Sequence, residues 1–386
     1  MNKSSFKPIL LGLLLTSLFA ASAIATPTAR STIEKRHGSH SESEKRDGEA
    51  SGLEVCSSIG VDDWSSKAQL ISLFCVLASG GFGAFIPILS YRYKALRLPP
   101  RLIDLGKFFS IGVILSTAII HIYPPANSYL NDACVAGKLG NYEGWPGVIF
   151  MFAIFVMQFT EFILTSTLVK QKEIATGNGV KDLSSSEINY TVHTHHNHVH
   201  GGMFSDSESR KKLSTYLLEA SVAFHSITVG LSLGMTSRAE TITLGIAVCF
   251  HQMFEGFAIG DRLTRLYSEK QPDQESLSPD SRSEVIGKVK VMLAGASIYM
   301  FATPIGQGIG MGIHSVLAPR SPAYLICLGV LEALSAGILV YIALVNLISE
   351  EFSSIKFKNY STSIKAWCFF AMYLGAGVMA LIGKWA

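Results

Sequence analysis

The chain has 386 residues, 48% of them hydrophobic and only 16% charged, against roughly 25% charged in soluble domains. Long uncharged apolar runs mark a membrane protein and set aside an ordinary soluble enzyme. A formal net charge of +3 does not point to nucleic acid; the uneven placement of the basic residues along the chain says more.

The start, MNKSSFKPILLGLLLTSLFAASAIATPTAR, pairs Lys3 and Lys7 with an apolar run and then small residues. It reads as a signal peptide over 1–25, cleaved near Ala25. Residues 26–66 are rich in Ser, Glu, Lys and His and read as a disordered extracellular tail. The remainder, 67–386, reads as one transporter domain. Apolar segments long enough to cross a bilayer run over about 68–90, 103–123, 147–169, 214–234, 241–261, 291–313, 323–348 and 366–384. Polar cytoplasmic connections at 170–213 and 262–290 interrupt them. Runs of this length are helices, because lipid admits only helices or closed barrels and barrel strands are far shorter. The expected fold is all-α with eight transmembrane helices.

Basic residues set the orientation. Arg92, Lys94, Arg97, Arg101, Lys170, Lys172, Arg210, Lys211, Lys212, Arg262, Arg265, Lys288, Lys290, Lys356 and Lys358 fall on one side. The other side holds Lys138, Arg238 and Arg320, plus Lys384 in the tail. The first side is therefore cytoplasmic and both termini are extracellular, as expected of a multi-pass plasma-membrane protein. Cys56 and Cys134 then share the outer side, where a disulfide between them is plausible. The sequons at Asn189 and Asn359 fall on the cytoplasmic side and should stay unmodified.

Two apolar segments carry a polar motif. FHSITVGLSLG at 224–234 and FHQMFEGFAIG at 250–260 fit one template, Phe-His-polar-x-x-x-Gly-x-x-x-Gly. His225 matches His251, Ser226 matches Gln252, Gly230 matches Gly256 and Gly234 matches Gly260. The short turn around Arg238 lies midway, so two antiparallel helices place both imidazoles at one depth near the bilayer middle. Glu255 follows His251 by four and shares its face. A carboxylate facing lipid costs several kcal/mol, so the pair must face a partner or water. A packing hydrogen bond would satisfy one helix alone. The second histidine at matching depth favours a divalent metal, with zinc suited to imidazole and carboxylate. Gly-x-x-x-Gly spacing lets neighbouring backbones come close.

These motifs resemble the ZIP (Zrt-, Irt-like) family of divalent metal transporters, in its fungal and plant branch. HSITVG and HQMFEG carry the likeness. GVILSTAIIHIYPP, ATPIGQGIGMGI, LSAGILVYIALVNLISEEF and the final LGAGVMALIGKWA extend it over about 68–386, apart from the two polar loops. The resemblance implies a metal site between helices four and five with His225, His251 and Glu255 as ligands and Ser226 and Gln252 beside it. It implies two inverted three-helix repeats flanking that central pair, and a homodimer, which is common in the family. This chain has Val229 where many relatives carry a second Glu, and Thr303 where helix six often has a carboxylate. Neutral Ser226, Gln252 and Thr303 argue against a two-metal centre. Pro125 stands where relatives often have an Asp after Pro, which removes an acidic group from the outer mouth.

Other polar positions are candidates for the pathway: His121 near the outer end of helix two, Glu161 inside helix three, Thr303, and Glu332 in helix seven. His121 suits metal capture and a simple interfacial position equally, and Glu332 suits the pathway and a packing hydrogen bond equally. His314 reads as interfacial. The cytoplasmic stretch HTHHNHVHGG gathers His193, His195, His196, His198 and His200, a composition that binds metal without fixed structure and suits sensing or buffering. Lys170, Lys172 and Lys181 nearby are positioned for ubiquitin. The expected function is uptake of Zn(II) into the cytoplasm, with Fe(II) or Mn(II) as alternative cargo. No catalytic cofactor is implied. An intramembrane metalloprotease needs H-E-x-x-H, and this chain has H-Q-x-x-E. A membrane haem cytochrome could use His225 and His251 as axial ligands, but would leave Glu255 unexplained.

Overall fold

A computed structural model describes residues 63–140, 142–175, 207–268, 279–315 and 321–385. Among them, eight helices are long and apolar enough to cross a membrane. They are α1 (Ser66–Arg92), α2 (Pro100–Leu130), α3 (Trp145–Ala175), α4 (Ser207–Met235), α5 (Arg238–Ser268), α6 (Pro279–His314), α7 (Pro322–Ser353) and α8 (Thr362–Ile382). No strand occurs among the described residues. The signal-peptide and tail readings, and the histidine stretch 193–200, lie outside them.

Local chemistry explains many of the ends. Ser321 and Ser361 cap α7 and α8 through their side chains, and Pro322 opens α7 where a missing N–H costs nothing. The α4–α5 turn closes with a capping box. Ser237 N–H donates to Glu240 Oε2 at 3.1 Å, and Glu240 N–H donates to Ser237 Oγ at 3.4 Å. Several helices outrun the apolar segments. α3 continues to Ala175, α4 begins at Ser207, α5 continues to Ser268 and α6 begins at Pro279. The polar connections set at 170–213 and 262–290 are therefore helical in part. Hydropathy falls where Lys, Arg and Glu begin, yet these residues are good helix formers.

The packing repeats under one exchange. α1 packs along α5 as α6 packs along α4, and α2 packs along α8 as α7 packs along α3. Swapping α1–α3 with α6–α8, and α4 with α5, maps the first set of contacts onto the second. Individual residues obey the same rule. A Cβ at Gly83 would sit 1.9 Å from Met253 O, and one at Gly306 would sit 2.2 Å from Ile227 O. A Cβ at Gly260 would sit 2.2 Å from Ala84 O, and one at Gly234 2.4 Å from Gln307 O. The template glycines are thus the points where α5 meets α1 and α4 meets α6, backbone against backbone. α2 and α7 also share a π-helical stretch, at Thr117–Ile122 and Ile342–Ser349, a wide turn that often marks functional segments. This is the pattern of two inverted three-helix repeats around a central α4–α5 pair.

α3 and α8 are the least covered helices. Phe152, Phe159 and Phe162 on α3, and Trp367 and Tyr373 on α8, stand more than half exposed, as residues turned toward hydrocarbon do. The core lies instead between α2, α4, α5, α6 and α7, around Phe108, Ile111, Leu218, Ile259, Leu339 and Ile342.

Candidate metal centre

The template residues meet in that core. His225 on α4 and His251 and Glu255 on α5 are all buried, and one ligand atom from each lies within 4.8 Å of the others. The two imidazole centroids are 6.0 Å apart, so the histidines do share one depth. His225 Nε2 is 3.6 Å from Glu255 Oε1, and no bonded partner accounts for either atom. Both oxygens of Glu255 and both ring nitrogens of His251 are buried without a side-chain hydrogen-bond partner among the described residues.

Unpartnered buried polar atoms are rare because each costs about 1–3 kcal/mol. Here they gather on neighbouring turns. Ser226 Oγ, both amide atoms of Gln252, and Thr303 Oγ1 are buried and unpartnered as well. Two imidazole nitrogens and a carboxylate within one small sphere form a donor set for a divalent cation of zinc type, and nearby neutral oxygens can serve as further donors or hold water. Three protein donors leave coordination positions open, which permits exchange.

The other candidates have distinct places. His121 lies in the π-helical part of α2. Its ring is 6.5 Å from that of His251, and its Nε2 is 3.2 Å from the carbonyl of Met379 on α8. Pro124 follows, and the loss of its N–H accompanies the widened turn, in which Tyr123 N–H bonds Ala118 O. Glu161 is half-buried on α3, where its Oε2 accepts from Tyr341 Oη of α7 at 3.0 Å. Glu161 therefore has a packing partner and is not a member of the three-residue cluster. Glu332 is buried on α7 with Oε2 unpartnered. Thr303 lies at the α6–α4 crossing, its carbonyl 2.1 Å from where a Cβ of Gly230 would stand. His314 stacks on Trp64 at 4.7 Å. Cys134 is disulfide-bonded; Cys56 lies outside the described residues.

Polar networks close both ends of the core. At the end that holds the α4–α5 turn, Gln69 Nε2 donates to Leu233 O at 2.9 Å and to Thr241 Oγ1 at 2.8 Å, and Gln307 Nε2 donates to Gln69 Oε1 at 2.9 Å. At the opposite end, Arg262 donates to Asn346 O and Ser214 Oγ, both at 2.7 Å, and pairs with Glu350. Arg265 bridges Asp261 and Glu351, Lys107 pairs with Glu351, and Lys356 pairs with Asp104. Arg262 and Arg265 are not loop charges, as their place in 262–290 suggested. They lie within α5, and Arg262 is buried. Sequence reasoning missed this network because charges beyond an apolar run look solvated; Lys107 and Asp104 inside the second apolar stretch were the available signal.

An eight-helix bundle with a buried imidazole–carboxylate cluster in its middle defines a multi-pass membrane protein whose core carries donor groups that could hold a cation. Comparison with known proteins narrows the class. The family model described as ZIP Zinc transporter matches residues 66–271 and 285–383, and the chain belongs to that family. It is 30% identical over 352 residues to Zinc transporter 3 of Arabidopsis thaliana, covering 88% of this chain and 92% of that protein. It is 26% identical over 430 residues to Zinc-regulated transporter 2 of Saccharomyces cerevisiae, covering 86% and 98%. It is also 28% identical over 327 residues to Fe(2+) transport protein 2 of Arabidopsis thaliana, covering 82% and 87%.

Proposed function

We propose that this protein carries Zn(II) across the plasma membrane into the cytoplasm through a single site formed by His225, His251 and Glu255. The observation that carries the reading is the convergence of these three side chains, buried and largely unpartnered, between the two central helices. The chain's membership in a zinc-transporter family and the names of its zinc-transporting relatives agree with it. Fe(II) is the alternative cargo, since one relative is named for it and a nitrogen–oxygen donor set serves both metals.

The orientation rests on charge. The end of the bundle lined by Lys107, Arg262, Arg265 and Lys356 also receives most of the loop Lys and Arg, and by the positive-inside rule it faces the cytoplasm. The α4–α5 turn then faces outward, and metal passes from Gln69 and Gln307 toward Arg262. His193, His195, His196, His198 and His200 would sit beyond the exit, where they can sense or buffer incoming metal without forming the pathway.

The test is radiotracer zinc uptake in cells stripped of their own importers. Uptake well above empty vector, reduced by excess unlabelled Zn(II), is expected. Uptake equal to empty vector, with the protein present at the surface, would overturn the reading. The same assay with competing Fe(II) and Mn(II) ranks the cargoes.

A further inference from the structure

One member of the cluster is held from outside it. His225 Nδ1 lies 2.8 Å from Ser335 Oγ, and Ser335 is buried in the middle of α7. The other ring nitrogen, Nε2, points to Glu255 and has no hydrogen-bond partner. A neutral imidazole carries its proton on one nitrogen and a lone pair on the other. Metal binding at Nε2 requires the lone pair there, so the proton must reside on Nδ1 and Ser335 Oγ must accept it. A ligating histidine usually has such a partner for its second nitrogen, and the partner fixes both tautomer and ring orientation. His251 has no side-chain partner on either nitrogen among the described residues, and what holds its ring is the backbone at Ala247, one turn back on its own helix, so His225 is the ligand whose pose is set by a side chain of another helix.

We infer that Ser335 is a positioning residue for metal binding: it accepts from His225 Nδ1–H, holds the ring with Nε2 toward Glu255, and sets metal affinity from a helix that supplies none of the three ligands. This rests on the site proposed above. Donor and acceptor belong to α4 and α7, so the pose of His225 depends on how α7 lies against the central pair. A movement of α7 away from α4 by about 1 Å along the bond would stretch it beyond hydrogen-bonding range.

The test is the zinc affinity of purified full-length protein, measured by competition with a chromophoric zinc chelator. The affinity of this site is the component lost in His225→Ala, which separates it from zinc held by the loop histidines. Ser335→Ala removes the acceptor with little change of shape and should weaken that component about 10–100-fold, with an unchanged elution profile. Ser335→Thr keeps the hydroxyl and should stay within about threefold of the parent. An unchanged affinity in Ser335→Ala overturns the inference, as does a loss in Ser335→Thr as large as that in Ser335→Ala. A parent with no component sensitive to His225→Ala overturns both this inference and the site. Zinc uptake by the parent is measured separately, so failure of the transport reading is distinguishable from failure of the positioning role.

Discussion

Glu255 has no exposure, and neither of its oxygens has a partner among the described residues. An isolated carboxylate in such a place is costly, and under the proposed function a divalent cation shared with His225 and His251 would remove the cost and satisfy the open imidazole nitrogens. On that proposal the three side chains act as a unit. His225→Ala or His251→Ala should cut zinc uptake at least tenfold, with surface abundance retained. Glu161→Gln should stay within about twofold of the parent, because an amide oxygen still accepts from Tyr341. Uptake per surface molecule checks both. At this scale the sequence pointed to the three residues that converge and hid what surrounds them. A repeated His motif stands out in apolar surroundings, and Glu255 falls on the right face by spacing alone. Ser335 is one hydroxyl among many in apolar helices, 110 positions from His225, and no periodicity links the two.

Helix length and helix contact were legible to different degrees. Apolar runs located all eight spans, and the Gly-x-x-x-Gly spacing marked where α4 and α5 are approached closely. The runs did not reveal the helical ends, where charged residues continue the helix, nor the π-helical turns at His121 and Asn346. The turn in α7 coincides with a tertiary contact, in which Arg262 donates to the carbonyl of Asn346, whereas the turn in α2 precedes Pro124, which has no N–H to give. The glycine contacts give a sharp test of the inverted repeat. Gly83→Ala and Gly306→Ala each drive a methyl into a facing carbonyl, and overpacking of this kind costs about 1–3 kcal/mol or more. Both should lower the yield of monodisperse protein after detergent extraction. Gly308→Ala meets nothing within 4 Å and should match the parent. A tolerated Gly83→Ala beside a damaging Gly306→Ala would show that the two crossings are not equivalent.

Across the whole molecule, the site sits between two closures of different chemistry. The amide network of Gln69 and Gln307 joins α1, α4, α5 and α6 at one end. The ion pairs of Lys107, Arg262, Arg265, Glu350 and Glu351 join α2, α5 and α7 at the other. Buried ion pairs lose much of their Coulombic gain to desolvation, but stranding one partner costs about 3–5 kcal/mol. Glu351→Ala strands Lys107 and should lower the melting temperature in detergent by roughly 5–10 °C. Adding Lys107→Met should recover part of the loss. A double variant no more stable than Glu351→Ala would mean that the pair does not stabilise the bundle through charge. Apart from Lys107 and Asp104 inside an apolar run, this closure left little trace in the sequence, because its members come from three separate helices and its arginines resembled solvated loop charges.

If the proposed site is right, the charge of Glu255, beside His225 and His251, carries the metal through the membrane. Glu255→Gln is its most direct test, since it keeps shape and hydrogen-bonding capacity and deletes only the charge. Zinc uptake measured at equal surface abundance should fall to about a tenth of the parental rate or less, because a small ligand set loses its one anionic donor. Uptake at the parental rate would show that the carboxylate serves packing alone, and that the metal crosses elsewhere.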